Sequence, residues 1–440
     1  MLHHIDIWKE IFNNLKLENQ IRILQLNKHF NENLQVTDFY NVKKSILKKL
    51  NTNILSNYKY IKKFHPNKEI DDISFLNDLE VLMCNIKIKD EDLKKLNLKK
   101  LSTGCNKNIK SISHMTNLKV LRCINSAIDD DDIKNLNLIK LYANRCKQIK
   151  NINHMTNLKT LSITSICGVG DENIKDLNLK YLNSHNNDKI KNISHLTNLK
   201  YLNVGGISMV TDHDIENLNL TQLYASGNSK IKNISHMTNL KILFCSNHCG
   251  VDDDNIKNLN LNILSADNNS KIKNISHMNK LRVLNCEGKC GISDEDIKNL
   301  NLRILNTHDN SKIKNISHMS LLRKLDCSGE RSIIADEDIK NLNPYYLCVD
   351  NNTQIKNISH MTNLISLSCR NNSAISDEDI KNLNLNRLII DRNKKIKNFY
   401  HMTKLKVLYA SKCGIALKDI EKLDLDCFYL SGTMYHWTNQ

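Results

Sequence analysis

One stretch constrains this chain more than any other: Ile231-Lys-Asn-Ile-Ser-His-Met-Thr-Asn-Leu240 returns with small changes along most of its 440 residues. Its histidine stands at His114, His154, His195, His236, His277, His318, His360 and His401, a spacing of 40 to 42 residues. A fixed period of this length dictates a stacked repeat, because each unit can bury its apolar face only against its neighbours. The period is double. Between copies lies a differently worded half, such as Leu240-Lys-Ile-Leu-Phe-Cys245 followed by Val251-Asp-Asp-Asp-Asn-Ile-Lys-Asn-Leu259.

Both halves align on L-x-x-L-x-(small or apolar), with eighteen starts from Leu79 and Leu98 to Leu405 and Leu425 that lie 19 to 22 residues apart. Tyr58 with Ile61 and Phe64 reads as a degenerate nineteenth copy. This length and wording resemble the leucine-rich repeat, which implies an α/β solenoid: a curved parallel sheet with short helical or 3-10 return segments. The expected organisation is a small helical unit over 1–34, a helical connector over 35–57 and the repeat array over 58–440. Length alone would suggest several domains, but a solenoid grows without splitting its core. The repeat from Leu322 is longer, through Arg331-Ser-Ile-Ile-Ala335, and Pro344 replaces the next leucine. Proline is tolerated at a strand's start, so a local bulge is expected there.

The net charge is +16 and the pI about 9.1. The lysines are scattered through the repeat and no basic run is interleaved with aromatics, so the charge reads first as a solvated surface, with a charge-driven anion or nucleic-acid binder as the weaker alternative. The start, Met1-Leu-His-His-Ile-Asp-Ile-Trp-Lys-Glu10, lacks the regions of a signal peptide, and no stretch reaches the apolar length of a membrane span. The expected location is the cytoplasm. Among fourteen cysteines, Cys84, Cys123, Cys245, Cys286, Cys327 and Cys369 occupy the inward sixth strand position. Cysteine there serves as a small buried hydrophobe, not as part of a disulfide framework.

The two halves differ in ways that have physical readings. In one, Asn106, Asn187, Asn228, Asn269, Asn310, Asn352 and Asn393 recur at a single bend, with Cys146 the one replacement. Stacked amides there can satisfy backbone groups that the bend would bury. Ile231, Ile234 and Met237 follow at three-residue spacing, which suits a 3-10 or short helical return. In the other half, Ser293 or Asp294 is placed to cap a short helix carrying Ile297 and Leu300. Lys232, Lys273 and Lys314 are expected to pair with Asp253 and Asp294 as exposed ion pairs.

Cys290-Gly-Ile-Ser-Asp-Glu-Asp-Ile-Lys-Asn-Leu300 resembles the cysteine-containing leucine-rich repeat of F-box proteins. Ile7-Trp-Lys-Glu-Ile-Phe-Asn-Asn-Leu15, with Leu26-Asn-Lys28 and Phe30, resembles the F-box itself. His3-His4 stands where that family opens with Leu-Pro, and the cysteine sits one position late. Together these resemble the F-box/leucine-rich-repeat family, in the Asn/Lys/Ile-rich wording of versions encoded by large DNA viruses of amoebae. The resemblance implies that Ile7, Trp8, Ile11, Phe12 and Leu15 dock a Skp1-type adaptor, in the host cytoplasm if the protein is viral. It also implies a substrate-receptor subunit of a cullin-type ubiquitin ligase. The alternative is a binding scaffold or inhibitor without ligase linkage, whose N-terminal helices cap the array.

No enzyme site is expected. A histidine repeated in every turn forms a line along a solenoid, whereas catalytic and metal sites are single constellations. His3-His4 lacks a partner at metal spacing, and there is no P-loop, dinucleotide glycine motif or Cys-x-x-Cys pair, so no cofactor is implied. Binding is expected on the concave sheet face, where alternate strand side chains escape the core. The fifth position varies while the core positions do not. Its anchor candidates for a protein partner are Arg122, Tyr142, Tyr224, Phe244, Asp326, Ile389, Tyr409 and Tyr429.

Overall fold

A computed structural model describes residues 15, 19–20, 36–39, 61–65, 70, 72–73, 75–84, 87–416, 420, 423–430 and 433–436. The chain comprises two compact units, Met1–Leu218 and Asn219–Gln440. The same parallel-sheet solenoid repeat builds each. In the first unit the strands run from Asp38–Phe39 and Lys63–Phe64 through Val81–Met83 to Tyr201–Asn203; in the second they run from Gln222–Tyr224 to Cys427–Leu430. Each repeat strand pairs in parallel and in register, so that Leu101 stands between Leu82 and Leu121, and Leu264 between Leu243 and Leu284.

Three residues suffice for each strand because alternation does the sorting. In Ile242–Phe244 the central Leu243 is fully buried and its flanking residues are half-exposed. The fourth-position leucines join the first-position leucines and the sixth-position cysteines or alanines in the core; Leu240, Leu243 and Cys245 are 1%, 0% and 0% exposed. Each such leucine contributes about 1.5 to 3 kcal/mol of apolar burial. All fourteen cysteines are free thiols and eleven are buried, among them the six expected to face inward.

The two segments before Leu79 keep the L-x-x-L logic in altered letters. Val36 and Phe39, then Ile61 and Phe64, are all buried at that spacing, and Asp38–Phe39 pairs in parallel with Lys63–Phe64, which pairs with Val81–Met83. Within 35–57, expected to be helical, Asp38–Phe39 is therefore a strand. At the other end Thr433–His436 turns back antiparallel on Cys427–Leu430. That hairpin gives the last repeat strand a hydrogen-bonded partner, which an exposed edge would lack. The longer repeat leaves the sheet intact: Tyr346–Cys348, just after Pro344, keeps register with both Lys324–Asp326 and Ser366–Ser368.

In the asparagine-bearing half the return corrects the expected 3-10 or short helical turn. Ile272, Ile275 and Met278 are buried at three-residue spacing, but they lie in extended chain closed by single turns, Met278 N–H to Ile275 C=O at 3.0 Å and Leu281 N–H to Met278 C=O at 2.9 Å. The helices lie in the other half, as single four-residue turns such as Asp253–Ile256 and Asp294–Ile297. Ser293 is the N-cap residue, and Asp296 accepts its backbone N–H at 2.7 Å and its hydroxyl at 2.8 Å. Gly291 precedes it because the chain passes against Ile272, where a Cβ would lie 2.3 Å from the carbonyl oxygen.

Candidate functional site

The repeated polar residues resolve first, because each has a structural partner. Asn269 donates its amide to the carbonyls of Cys245 at 2.9 Å and Val251 at 3.1 Å, and its oxygen accepts the Lys271 N–H at 3.0 Å. Asn187, Asn310, Asn352 and Asn393 bond the equivalent carbonyls and are at most 1% exposed. Cys146 preserves this rung, since its Sγ donates to the Cys123 carbonyl.

The histidines also face carbonyls. His318 Nε2 lies 3.2 Å from the Ile297 oxygen and 3.1 Å from the Leu300 oxygen, and His154, His277 and His401 repeat the contact. A carbonyl only accepts, so Nε2 carries the proton, and each ring satisfies orphan carbonyls at the end of the preceding short helix. At that helix's other end, Asp294 accepts the backbone N–H groups of Lys314 at 2.7 Å and Asn315 at 2.9 Å. This corrects the expected Lys–Asp ion pairs: Asp253 likewise binds the main chain of Lys273. The helix lysines pair instead within their own turn, as Lys298 does with Glu295 at 2.7 Å. Among the described residues no three or more His, Cys, Asp or Glu side chains are placed to hold a metal ion, and no helix is long and apolar enough to cross a membrane.

The sheet's open face remains. In the second unit Tyr224, Phe244, Ser265, Asn285, Asn306 and Asp326 stand side by side at the fifth position. Cys348, Ser368, Ile389, Tyr409 and Tyr429 continue the row. Tyr224 and Phe244 stack at 4.6 Å and 18°, and Tyr409 and Tyr429 meet at 5.9 Å and 31°. The Arg387 guanidinium lies 5.5 Å from the Tyr409 ring centre. Ile389 departs from expectation: it is only 6% exposed, between Ser368 and Tyr409 in register, so it supports the neighbouring ring and offers little surface of its own. Asp326 is half-buried and accepts the Ser328 N–H at 3.1 Å.

In the first unit the exposed Arg122 lies over the half-buried Tyr142 at 4.7 Å. Tyr181 and Tyr201 stack there at 3.9 Å and 11°, at the third position, which a reading of the fifth alone passes over. Beside these faces runs a second ladder at the seventh position. Asn144 accepts the Thr164 N–H at 3.1 Å, Asp350 the Arg370 N–H at 2.7 Å and Asp391 the Ser411 N–H at 2.8 Å. Glu287 is half-buried in this row, where burial, and then Asp267, push its carboxyl up. Of the expected adaptor-docking residues, Ile7, Trp8, Ile11 and Phe12 lie outside the described residues; Leu15 is half-buried, and its carbonyl accepts the Gln20 amide at 3.2 Å.

Neither a protein-family model nor a curated protein matches the chain. Among solved structures it is similar to an internalin, InlF, from Listeria monocytogenes, with 21% identity over 64% of this chain and 88% of that one and a TM-score of 0.43. It is also similar to the functional domain of InlJ from Listeria monocytogenes, at 18% identity, 81% and 70% coverage and a TM-score of 0.36. A leucine-rich-repeat protein of Leptospira interrogans matches at 17% identity, 93% and 98% coverage and a TM-score of 0.29. The leucine spacing, the in-register parallel strands and the asparagine ladder make the fold of each unit a leucine-rich-repeat solenoid.

Proposed function

We propose that this chain is a protein-recognition subunit that grips its partner on the open face of the sheet, and that it serves a cullin-type ubiquitin ligase as substrate receptor. One observation carries the recognition reading. Inward positions are spent on the core, and the recurring His, Asn and helix-start Asp residues on backbone groups, whereas the fifth-position row varies and presents paired half-exposed rings at Tyr224–Phe244 and Tyr409–Tyr429. Rigid aromatic pairs on a scaffold suit a protein interface, where such side chains dominate the energetics. The ligase link rests on the sequence resemblance at Ile7, Trp8, Ile11, Phe12 and Leu15, which would dock a Skp1-type adaptor, and on the F-box-type wording of the repeats.

The test is a pull-down of a purified Skp1-type adaptor by the full chain. Binding by the intact protein is expected, with loss in the double variant Ile11→Asp, Phe12→Asp and unchanged circular dichroism. No binding by the intact protein would leave a recognition scaffold without ligase linkage. Unfolding of the array in the variant would make the N-terminal residues a cap.

A further inference from the structure

From Asn125 to Lys412 the eighth position of each half-repeat, just past the strand, turns through the left-handed region of backbone space. Side chains with a Cβ are strained there unless they are short amides or carboxylates, so glycine, asparagine and aspartate are preferred. The earlier half-repeats of the second unit comply, from Gly227 through Asn268, Gly288 and Asp309 to Asn371. The next two do not: Arg392 and Lys412 adopt φ +62° and +59°. Long cations have replaced the favoured residues on two successive half-repeats, which brings their backbones within about one strand spacing, roughly 4.8 Å.

Both line one cavity of about 510 Å³, together with Arg370, Asp391 and Tyr429. The Arg370 guanidinium is already engaged, with its Nε 3.4 Å from Asp350 and 3.9 Å from Asp391. Arg392 and Lys412 are exposed and form no ion pair among the described residues. Three cations face the lining Asp391 and the adjacent Asp350, the latter paired with Arg370, so the cavity keeps one positive charge in excess. Tyr429 supplies an apolar wall and connects the cavity to the Tyr409–Tyr429 pair.

We infer that this cavity is a docking site for an acidic peptide segment, with Arg392 and Lys412 each meeting a carboxylate and Tyr429 packing on the segment's apolar atoms. The inference deepens the proposed protein-recognition role and rests on it. A peptide fits better than a nucleic acid for a reason of charge. The same unit carries Asp267, Glu287 and Asp326 on its open face, and Asp350 and Asp391 at the cavity, which would repel a continuous phosphate backbone. A short segment with a few carboxylates meets only the cations.

The test is fluorescence anisotropy of the full chain with a labelled oligoglutamate peptide, at low and at physiological salt, and with labelled oligothymidylate. The informative variant is Arg392→Asn with Lys412→Asn, which removes both charges and installs the residue that other half-repeats carry at this turn, so the fold is retained. Saturable oligoglutamate binding is expected, weakened by salt and reduced about tenfold or more in the variant. Absence of saturable binding, or equal affinity in the variant, overturns the proposal. Tighter oligothymidylate binding that the variant loses would overturn it in favour of nucleic acid. This assay needs no adaptor, so failure of the adaptor pull-down and failure of the cavity are read separately.

Discussion

Replacing Asn269 by alanine should cost about 2 to 4 kcal/mol, far more than its small side chain suggests. The magnitude follows from what the amide holds. Its nitrogen donates to two carbonyls in the core, those of Cys245 and Val251, and its oxygen accepts the Lys271 N–H. Each buried acceptor left without a donor costs about 1 to 3 kcal/mol, and a water drawn into the vacated space would recover part of one. The measurement is urea denaturation followed by circular dichroism, with Asn274→Ala as control. Asn274 is exposed and its side-chain oxygen accepts only the Ser276 hydroxyl, so its loss should stay within about 0.5 kcal/mol. Asn269→Asp separates the two ends of the amide, because it keeps the acceptor and sets a carboxylate against the two carbonyls. It should be at least as damaging as alanine. A cost below about 1 kcal/mol for alanine, or a milder aspartate, would refute the ladder as a source of stability.

Asp132 should make stability fall as pH rises. Burial pushes its carboxyl up to about 6, so the folded chain still holds a proton between about pH 4 and 6, where the unfolded chain has lost it. Asp132→Asn keeps the bond to the Asp129 N–H, as Asn255 keeps the Asp252 N–H at 2.9 Å, and should gain stability over the parent above pH 6 but not near pH 4; a pH-independent difference in thermal melts would refute this. A thiol reagent should modify the exposed Cys105 first, the half-buried Cys348 and Cys427 more slowly, and the rest only on unfolding. Burial holds the Cys245 and Cys286 thiols well above their ordinary range, and labelling of either at the rate of Cys105 would contradict the inward assignment.

The strands were legible in the sequence because L-x-x-L at a fixed spacing has few other physical meanings. Val36-x-x-Phe39 and Ile61-x-x-Phe64 carry the same geometry, but spacings of 25 and 18 residues to the next copy break the period. Only the first falls in the span expected to be helical; Ile61 and Phe64 fit a degenerate copy. The return segments misled because a three-residue spacing suits both a 3-10 helix and successive single turns. Lys273 beside Asp253 reads as an ion pair by charge alone, whereas a short carboxylate next to an open backbone finds the amide first. Ile389 shows the limit at the candidate site, since its burial depends on Ser368 and Tyr409, which are neighbours only after folding. The cationic cavity was hidden for a similar reason: Arg392 and Lys412 look like ordinary surface residues until their left-handed backbone is seen.

The double period has a mechanical cause that yields one more test. The helix-bearing half offers an aspartate at its helix start and open carbonyls at its helix end; the return half offers two backbone N–H groups and a histidine. Each kind of half therefore clamps onto the other and not onto its own kind. Deleting residues 364–404, one full period of 41 residues, joins the return half that ends at Asn363 to the helix-bearing half that starts at Leu405, and the alternation survives. Deleting only 364–384, 21 residues, sets two return halves together. His401 then loses the carbonyls of Ile380 and Leu383, the N–H groups of Lys397 and Asn398 lose Asp377, and Asn393 loses the carbonyls of Cys369 and Ile375. The larger deletion should therefore be the gentler one, although it removes five buried leucines against three. Thermal unfolding of both proteins decides the matter. A shorter deletion that unfolds as cooperatively, and at as high a temperature, as the longer one would show that the halves are interchangeable, and the clamps would then not be what enforces the period.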